Sequence, residues 1–373
     1  MKCVCISCFN YYDIRMKTVI EHFKNKGYDV TYIISDFDHY TKKRYVADYE
    51  NTVQIKVVSY NKNLSANRLM SHYIFAKKVY KELCNIQPDL VYSMFPPNSL
   101  VKQVARYKEK TKCKVIYDCY DLWPESFPYE KYERLLKIPF SQWKKLRDKY
   151  LDRADLLLCV SEVSREALIK LSKGTPIHIL EPAIKLAATS SYYCNKSEGL
   201  SFCYLGNVNH ITDVDLGVKL LALLAKYVDV QVHFIGEGQN FDDFIIKLED
   251  SGVKVIKHGI VFDMEEKNCI FAKCNLGLNI PRKEIKSSMS LKSVEYLRAG
   301  LPFINSGIGD TQLLVDKEAV GINIDCSNIE ETVKEIMALS EADLQRMHDN
   351  CVNFYNNRFL SQDIEKILSF SNI

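Results

Sequence analysis

A chain of 373 residues with 47% apolar and 26% charged side chains is too long for one ordinary core and too apolar to be disordered, so two globular domains are expected. No run of about 18 apolar residues occurs, and the start, Met1-Lys-Cys-Val-Cys-Ile-Ser-Cys, has no leader-cleavage pattern; both argue against a membrane span and for a cytoplasmic protein. The net charge of +3 divides unevenly, with 31 basic against 20 acidic side chains up to residue 180 and 19 against 27 after it, so the basic first half is expected to meet something anionic.

In chain order, Cys3–Cys8 is predicted as a strand and Met16–Lys26 as a helix ended by Gly27. Strands follow at Asp29–Ser35, rich in β-branched residues, and at Val53–Val58, then a long helix over Asn67–Asn85. Strand Asp89–Ser93, a helix after Pro97, strand Cys113–Asp118, strand Ala154–Ser161, helix Glu162–Leu171 and a short strand near Ile177–Leu180 complete the first half. Cys3 and Cys5 alternate with Val4 and Ile6, so they read as buried small hydrophobes rather than metal ligands, and thirteen scattered cysteines read as free thiols.

Glu181–Gly199 has no periodicity and marks the linker, giving a first domain at 1–183, a linker at 184–199 and a second domain at 200–356. A closing helix in 357–373 is expected to pack back on the first domain. Alternation restarts with strand Ser201–Gly206, helix Val214–Tyr227, strand Val230–Gly236, helix Phe241–Ser251 and strand Val253–Lys257. Gly321–Asp325 closes the sheet before helices at Ile329–Ser340, Glu341–Asn356 and Ser361–Phe370. The fold class is therefore α/β, two Rossmann-like doubly wound domains facing a cleft, with C-terminal helices. Neither half has Gly-x-Gly-x-x-Gly after its first strand, which counts against a dinucleotide oxidoreductase.

The stretch Ser287–Pro302 carries the chemistry. Ser290 is a good N-cap, Leu291, Val294 and Leu297 recur at helical spacing, and Gly300 and Pro302 stop the helix between two apolar strands. Such a crossover places a helix N-terminus where an α/β sheet binds phosphate. Lys292 and Glu295, three apart, can point the same way on that helix; a carboxylate one turn inside suits a polyol such as ribose. A solvated pair on an ordinary helix fits the same letters.

Ser290-Leu-Lys-Ser-Val-Glu-Tyr-Leu-Arg-Ala-Gly-Leu-Pro resembles the sugar-nucleotide motif of family 4 glycosyltransferases of the GT-B fold. Tyr12-Asp-Ile-Arg-Met-Lys, Asp121-Leu-Trp-Pro-Glu-Ser, Tyr204-Leu-Gly-Asn and Phe234-Ile-Gly-Glu-Gly are similar to further segments of that family, in family order, the second of them common in its polysaccharide-assembly branch. The resemblance implies a donor site of Glu295, Lys292, Ser290, Gly206 and Asn207, with Glu295 on the ribose. Asp118, Asp121 and Glu125 run off the carboxyl end of a strand, where they read either as catalytic (Asp121, Asp118) and acceptor-side (Glu125) carboxylates or as loop caps and turns; Asp13 and Arg15, at the equivalent sheet edge, read as acceptor-side residues or as a structural pair. Many members carry two glutamates eight apart; here the first position is Ser287, so Ser287 or nearby Glu284 takes the donor-sugar role. The family often has Arg and Lys after Gly206, where this chain reads Asn207-Val-Asn-His-Ile-Thr-Asp, leaving the diphosphate to Ser290, Lys292, His210, Arg282, Lys283 or Lys286. Trp123 reads as a packing anchor.

The implied reaction moves a sugar from a nucleotide-diphosphate sugar to a hydroxyl, with retention and without cofactor or metal. The implied partners are the donor and a lipid-linked or oligosaccharide acceptor, not nucleic acid. Leu135–Leu151 has an apolar stripe of Leu136, Phe140, Trp143 and Leu146 or Leu151 beside basic Lys144, Lys145, Arg147 and Lys149. It suits a helix on anionic lipid or a core-facing helix with a solvated basic face; the basic first half favours the lipid surface. A sugar-nucleotide epimerase of the same fold and a non-catalytic partner subunit with a degenerate donor site are the alternatives.

Overall fold

Continuous apolar runs of four to six residues bounded by turns make strands that must be covered on both faces, and such strands assemble into parallel sheets. The computed structural model describes residues 1–10, 13–62, 65–125, 133–181, 199–283, 286–287, 289–324, 326–360 and 364–368, with side chains at all of these except 13–14, 133–136, 286–287 and 360. The chain divides into two compact units, Met1–Ile184 with Asp363–Ile373, and Lys185–Gln362.

The first unit holds β1 (Lys2–Ser7), α1 (Asp13–Asn25), β2 (Asp29–Ser35), β3 (Thr52–Ile55), α2 (Ala66–Ile86), β4 (Leu90–Phe95), α3 (Asn98–Thr111), β5 (Lys114–Cys119), α4 (Glu133–Asp148), β6 (Leu156–Cys159), α5 (Glu162–Ser172) and β7 (Ile177–Ile179). Its seven strands run in the order β3-β2-β1-β4-β5-β6-β7, every pairing parallel. Strand order reverses between β1 and β4, and the crevice outside the carboxyl ends of those strands is where such sheets bind ligands. Cys3 and Cys5 are fully buried in β1.

The second unit holds β8 (Leu200–Leu205), α6 (Val214–Leu224), β9 (Val230–Ile235), α7 (Phe241–Asp250), β10 (Lys254–Gly259), α8 (Met264–Phe271), β11 (Leu276–Asn279), β12 (Lys286–Ser287), α9 (Leu291–Ala299), β13 (Phe303–Asn305), β14 (Ile308–Gly309), α10 (Asp310–Glu318), β15 (Gly321–Asn323), α11 (Ile329–Ala338) and α12 (Glu341–Tyr355). Its main sheet, β10-β9-β8-β11-β13-β15, is also all parallel and reverses between β8 and β11. A last helix, α13 (Ile364–Leu368), belongs to the first unit; Leu368 is buried there, His178 Nδ1 lies 2.8 Å from Ile367 O, and Lys26 pairs with Glu365.

Four elements lie outside the expected order. Helix α8 buries only Ile270 and Phe271, and α10 only Thr311, Leu314 and Val315, so neither shows a long apolar stripe. The two-residue pairing of β12 with β14 is too short to leave a pattern. Helix α4 requires a correction. Phe140 is buried, Trp143 packs 6.0 Å from both Trp123 and Phe140, and Arg147 is fully buried, so the face expected on lipid is turned into the first unit's core. Its exposed positions include Lys137, Ile138 and Lys145, which is the core-facing alternative. Among the described residues no helix is long and apolar enough to cross a membrane.

Candidate functional site

The second unit's switch point is built by backbone geometry first. β8 ends at Leu205 and the chain turns through Gly206 at φ 108°, while β9 is followed by Gly236 at φ 137° and Gly238 at φ 150°. A side chain at Gly236 would meet Gly206 O at 2.2 Å, and one at Gly238 would meet Val208 O at 2.3 Å, so the two loops lie too close for anything but glycine. Hydrogen bonds from Val208 N to Glu237 O (2.8 Å) and from Asn240 N to Val208 O (2.9 Å) lock them together.

Helix α9 arrives beside these loops because Ser290 caps it, its hydroxyl accepting from Ser293 N at 3.2 Å, and Gly300 ends it in the left-handed conformation. Ser293, Val294, Tyr296, Leu297, Arg298 and Ala299 are buried, which leaves Leu291, Lys292 and Glu295 as the open stripe. Tyr296, fully buried, ties the helix to the sheet: its hydroxyl accepts from Leu205 N at 2.9 Å and lies 3.0 Å from Cys203 O and 3.3 Å from Leu278 O. That joins β8, β11 and α9 at one atom. Tyr296→Phe is expected to lower stability by about 1–3 kcal/mol, since the part-buried Leu205 N loses its acceptor and Cys203 O and Leu278 O lose a buried hydroxyl; chemical denaturation of the two proteins measures it, and an unchanged midpoint would refute the tie.

Lys292 and Glu295 share one face of α9 but have different partners, against the solvated-pair alternative. Lys292 Nζ sits 4.2 Å from the centre of the Tyr204 ring and 3.2 Å from its hydroxyl. Glu295 instead meets Lys267 of α8 at 3.5 Å and Arg298 at 3.3 Å. Both cations reach the same oxygen, Oε2, so Oε1 keeps its capacity to accept from a ligand hydroxyl.

Below the cap, a chain of side-chain amides crosses the strand ends. Ser290 Oγ donates to Asn279 Oδ1 (3.2 Å), Asn279 Nδ2 to Asn305 Oδ1 (2.8 Å), Asn305 Nδ2 to Asn323 Oδ1 (2.7 Å) and Asn323 Nδ2 to Asp316 Oδ1 (2.7 Å). The parallel register Asn279↔Asn305↔Asn323 makes this ladder possible. Nothing in the linear sequence singles these asparagines out, since they lie on three strands.

Asn207 accepts from the Tyr204 hydroxyl through its carbonyl at 3.2 Å. The loop from Asn207 to Asp213 lacks Lys and Arg, but Arg282 is anchored on it: its Nε donates to His210 O at 3.0 Å and its amide to Ile211 O at 2.8 Å. The exposed Arg282 guanidinium therefore stands on the loop where a cation is missing from the chain itself. Ser287 pairs with Gly309 in the small β12–β14 ladder; its side chain, that of Lys286 and the whole of Glu284 lie outside the described residues.

In the first unit, Asp118 near the end of β5 is fully buried and both its oxygens are taken. Arg15 donates from Nε to Oδ2 and from Nη2 to Oδ1, each at 2.7 Å, and the Tyr92 hydroxyl bonds to Oδ2. Arg15 Nη1 continues to Leu180 O at 2.7 Å and Glu181 O at 3.0 Å. Burial works against the Arg15 charge, and the adjacent carboxylate more than offsets it. Asp118, expected to be catalytic, and Arg15, expected on the acceptor side, are brought together as an internal brace between α1, β5 and the end of the unit.

Glu125 is likewise engaged, by Arg147 at 2.6 and 3.1 Å and Lys144 at 2.8 Å. Burial raises its pKa, but the Arg147 hydrogen bonds and charge, then Lys144, hold it below the ordinary carboxylate range. Its contribution to stability is therefore present above the ordinary range and lost as pH falls through the lowered value. Asp121 accepts from Trp123 Nε1 at 2.8 Å and stays half-buried at the carboxyl end of β5; Trp123 is 5% exposed, a packing residue. Asp13 opens α1, but its side chain lies outside the described residues.

The sequence matches the model for Glycosyltransferase Family 4 over residues 14–188 and that for Glycosyl transferases group 1 over residues 199–342. No curated protein matches. Among solved structures, sucrose-phosphate synthase from Thermosynechococcus elongatus is 13% identical with a TM-score of 0.69, covering 96% of this chain and 94% of that one. WaaG, a glycosyltransferase involved in lipopolysaccharide biosynthesis, is 13% identical with a TM-score of 0.65, covering 96% of each chain. Anabaena HepE, solved with UDP and glucose, is 13% identical with a TM-score of 0.63, covering 98% and 97%. These likenesses establish the fold, and the two family models matched in order give the rest: the chain belongs to the family-4-like glycosyltransferases of the GT-B fold.

Proposed function

We propose that the protein transfers a sugar from a nucleotide-diphosphate sugar to a hydroxyl of a surface polysaccharide precursor, lipid-linked, on the cytoplasmic face of a membrane. The observation that carries the donor half is the open stripe of α9 at the second unit's switch point, with Lys292 and Glu295 side by side and one Glu295 oxygen unclaimed among the described residues. In this reading Glu295 Oε1 accepts from a ribose hydroxyl, while Ser290 and the α9 N-terminus, Lys292 and Arg282 face the diphosphate. Negative charge growing on the leaving diphosphate meets these fixed groups, with no resident metal or cofactor required of the reading.

On the first unit, Asp121 is the carboxylate assigned to orient the attacking hydroxyl, and the Arg15–Asp118 brace holds the strand end from which it projects. Attack on the face the diphosphate leaves, with a leaving-phosphate oxygen taking the acceptor proton, retains the anomeric configuration. Polysaccharide assembly is favoured by the Asp121-Leu-Trp-Pro-Glu segment and by the lipopolysaccharide role stated for WaaG. A donor present at about 100 times its Kd is expected to stabilise the protein by about 2.7 kcal/mol. A thermal-shift screen of UDP-, GDP- and dTDP-sugars reads this, followed by transfer assays with membrane lipid extract. If no nucleotide sugar moves the melting temperature, the donor assignment falls; turnover of free donor without acceptor supports the epimerase instead.

A further inference from the structure

At the carboxyl ends of the first unit's strands, side chains far apart in sequence meet in a cluster that the reaction described so far does not use. Phe9 follows β1, His39 follows β2, Tyr60 follows β3, Trp123 follows β5, and Arg68 and His72 come from the first two turns of α2. The Arg68 guanidinium lies over the Trp123 ring at 4.4 Å and 5.9 Å from the Tyr60 ring. His72 stacks on the Trp123 ring, 6.0 Å away at an interplanar angle of 23°, and Phe9 lies edge-on to His72 at 5.5 Å. His39 Nδ1 is 2.8 Å from the Tyr60 hydroxyl, and the Lys42 ammonium is 5.1 Å from the Tyr60 ring.

One member is anomalous. His72 is 3% exposed, yet among the described residues neither ring nitrogen has a hydrogen-bond partner. A buried imidazole with two unmet polar atoms is unfavourable in the free protein and is relieved only by a group that brings hydrogen-bonding atoms of its own. The charges in reach say which kind. Burial, then Arg68, then His39, keep His72 neutral; burial, Arg68 and Lys42 push His39 down to about 3 against the pull of Asp38. Asp38, the opposing carboxylate, is already engaged by Asn10 Nδ2 and by the backbone amides of Tyr40 and Thr41. Two cations that hold two imidazoles neutral form a site that gains from an incoming anion, and Arg with planar aromatic backing suits a phosphoryl group.

We propose that Arg68, His72 and Lys42, backed by Trp123 and Tyr60, form a phosphoryl-binding subsite of the first unit that takes the phosphate or pyrophosphate of the acceptor. The proposal rests on the transferase reading and names the acceptor's chemistry. Lys42 and the exposed Tyr40 stand on the turn that follows His39. His72 then donates to a phosphoryl oxygen and Arg68 supplies the fork.

The chain's two tryptophans, Trp123 and Trp143, both belong to this region and lie 6.0 Å apart, so intrinsic fluorescence reports the subsite and not the second unit. Titration of the full chain with inorganic pyrophosphate, with hexose 1-phosphate, and with vesicles carrying a polyprenyl pyrophosphate is expected to give a saturable change in emission with at least one probe. In H72F, which keeps a flat ring on Trp123 and removes both nitrogens, and in R68Q, the apparent Kd should rise by about tenfold or more while the donor KM stays unchanged. A response to soluble hexose 1-phosphate assigns the group to a sugar phosphate; a response to vesicles alone assigns it to a lipid. Unchanged emission with all three probes up to about 10 mM, or equal binding by wild type and H72F, overturns the proposal. Donor thermal shifts are read separately, so loss of this subsite and loss of the transferase reading give different results.

Discussion

Replacing Arg15 with methionine is expected to destabilise the first unit by about 3–5 kcal/mol, the loss seen when one member of a buried ion pair is removed. Asp118 has 0% exposure and would keep only the Tyr92 hydroxyl, so its charge would stand in the core without a counter-ion. Leu180 and Glu181 would also lose the donor that ties their carbonyls to α1. A second variant separates the pair from the packing of the long side chain. Arg15→Met with Asp118→Leu removes both charges and should recover much of the loss, because a buried pair replaced as a whole is near neutral. Urea denaturation followed by tryptophan emission reports the first unit alone. A single-variant loss below about 1 kcal/mol, the range of an exposed pair, would show that the brace is not buried in solution.

That brace also marks where reading the sequence stops. Arg15 and Asp118 are 103 residues apart, the first legible as a loop residue and the second as the last residue of a strand, with nothing in either place to name the other. What brings them together is the strand order β1-β4-β5, a property of the whole sheet. The strands were legible because each is a short, continuous apolar run, and α9 because Ser290, Gly300 and Pro302 bracket it chemically. Helices α8 and α10 were not, since each buries two or three residues and leaves no stripe to count. Spacing on α9 placed Lys292 and Glu295 on one face, which they share, but not in one pair: the Tyr204 ring and Lys267, on other elements, take them apart. The apolar stripe of α4 was visible as a pattern, and only the position of Trp123 decides that it faces protein.

Glu295→Ala is expected to raise the donor KM by roughly 10- to 100-fold, the loss that follows from removing hydrogen bonds to a charged group worth about 1.5–3 kcal/mol. The variant also strips Lys267 and Arg298 of a shared partner, and Arg298 is 3% exposed, so some loss of stability accompanies it. A rise in KM alone would therefore not distinguish a ribose contact from a loosened helix. The chemistry of the donor does. If Oε1 accepts from the ribose, a donor lacking one ribose hydroxyl is penalised by the wild type and not further penalised by the variant, so the two changes are strongly non-additive. If Glu295 only holds α8 against α9, the two losses add. Glu295→Gln sharpens the reading, because it keeps the side-chain shape and an acceptor oxygen while removing the charge that Lys267 and Arg298 balance. It should fall between wild type and Ala in donor KM. Additive losses with the deoxy donor, in proteins that melt within a few degrees of wild type, would move the ribose to another residue and leave Glu295 as a strut between two helices.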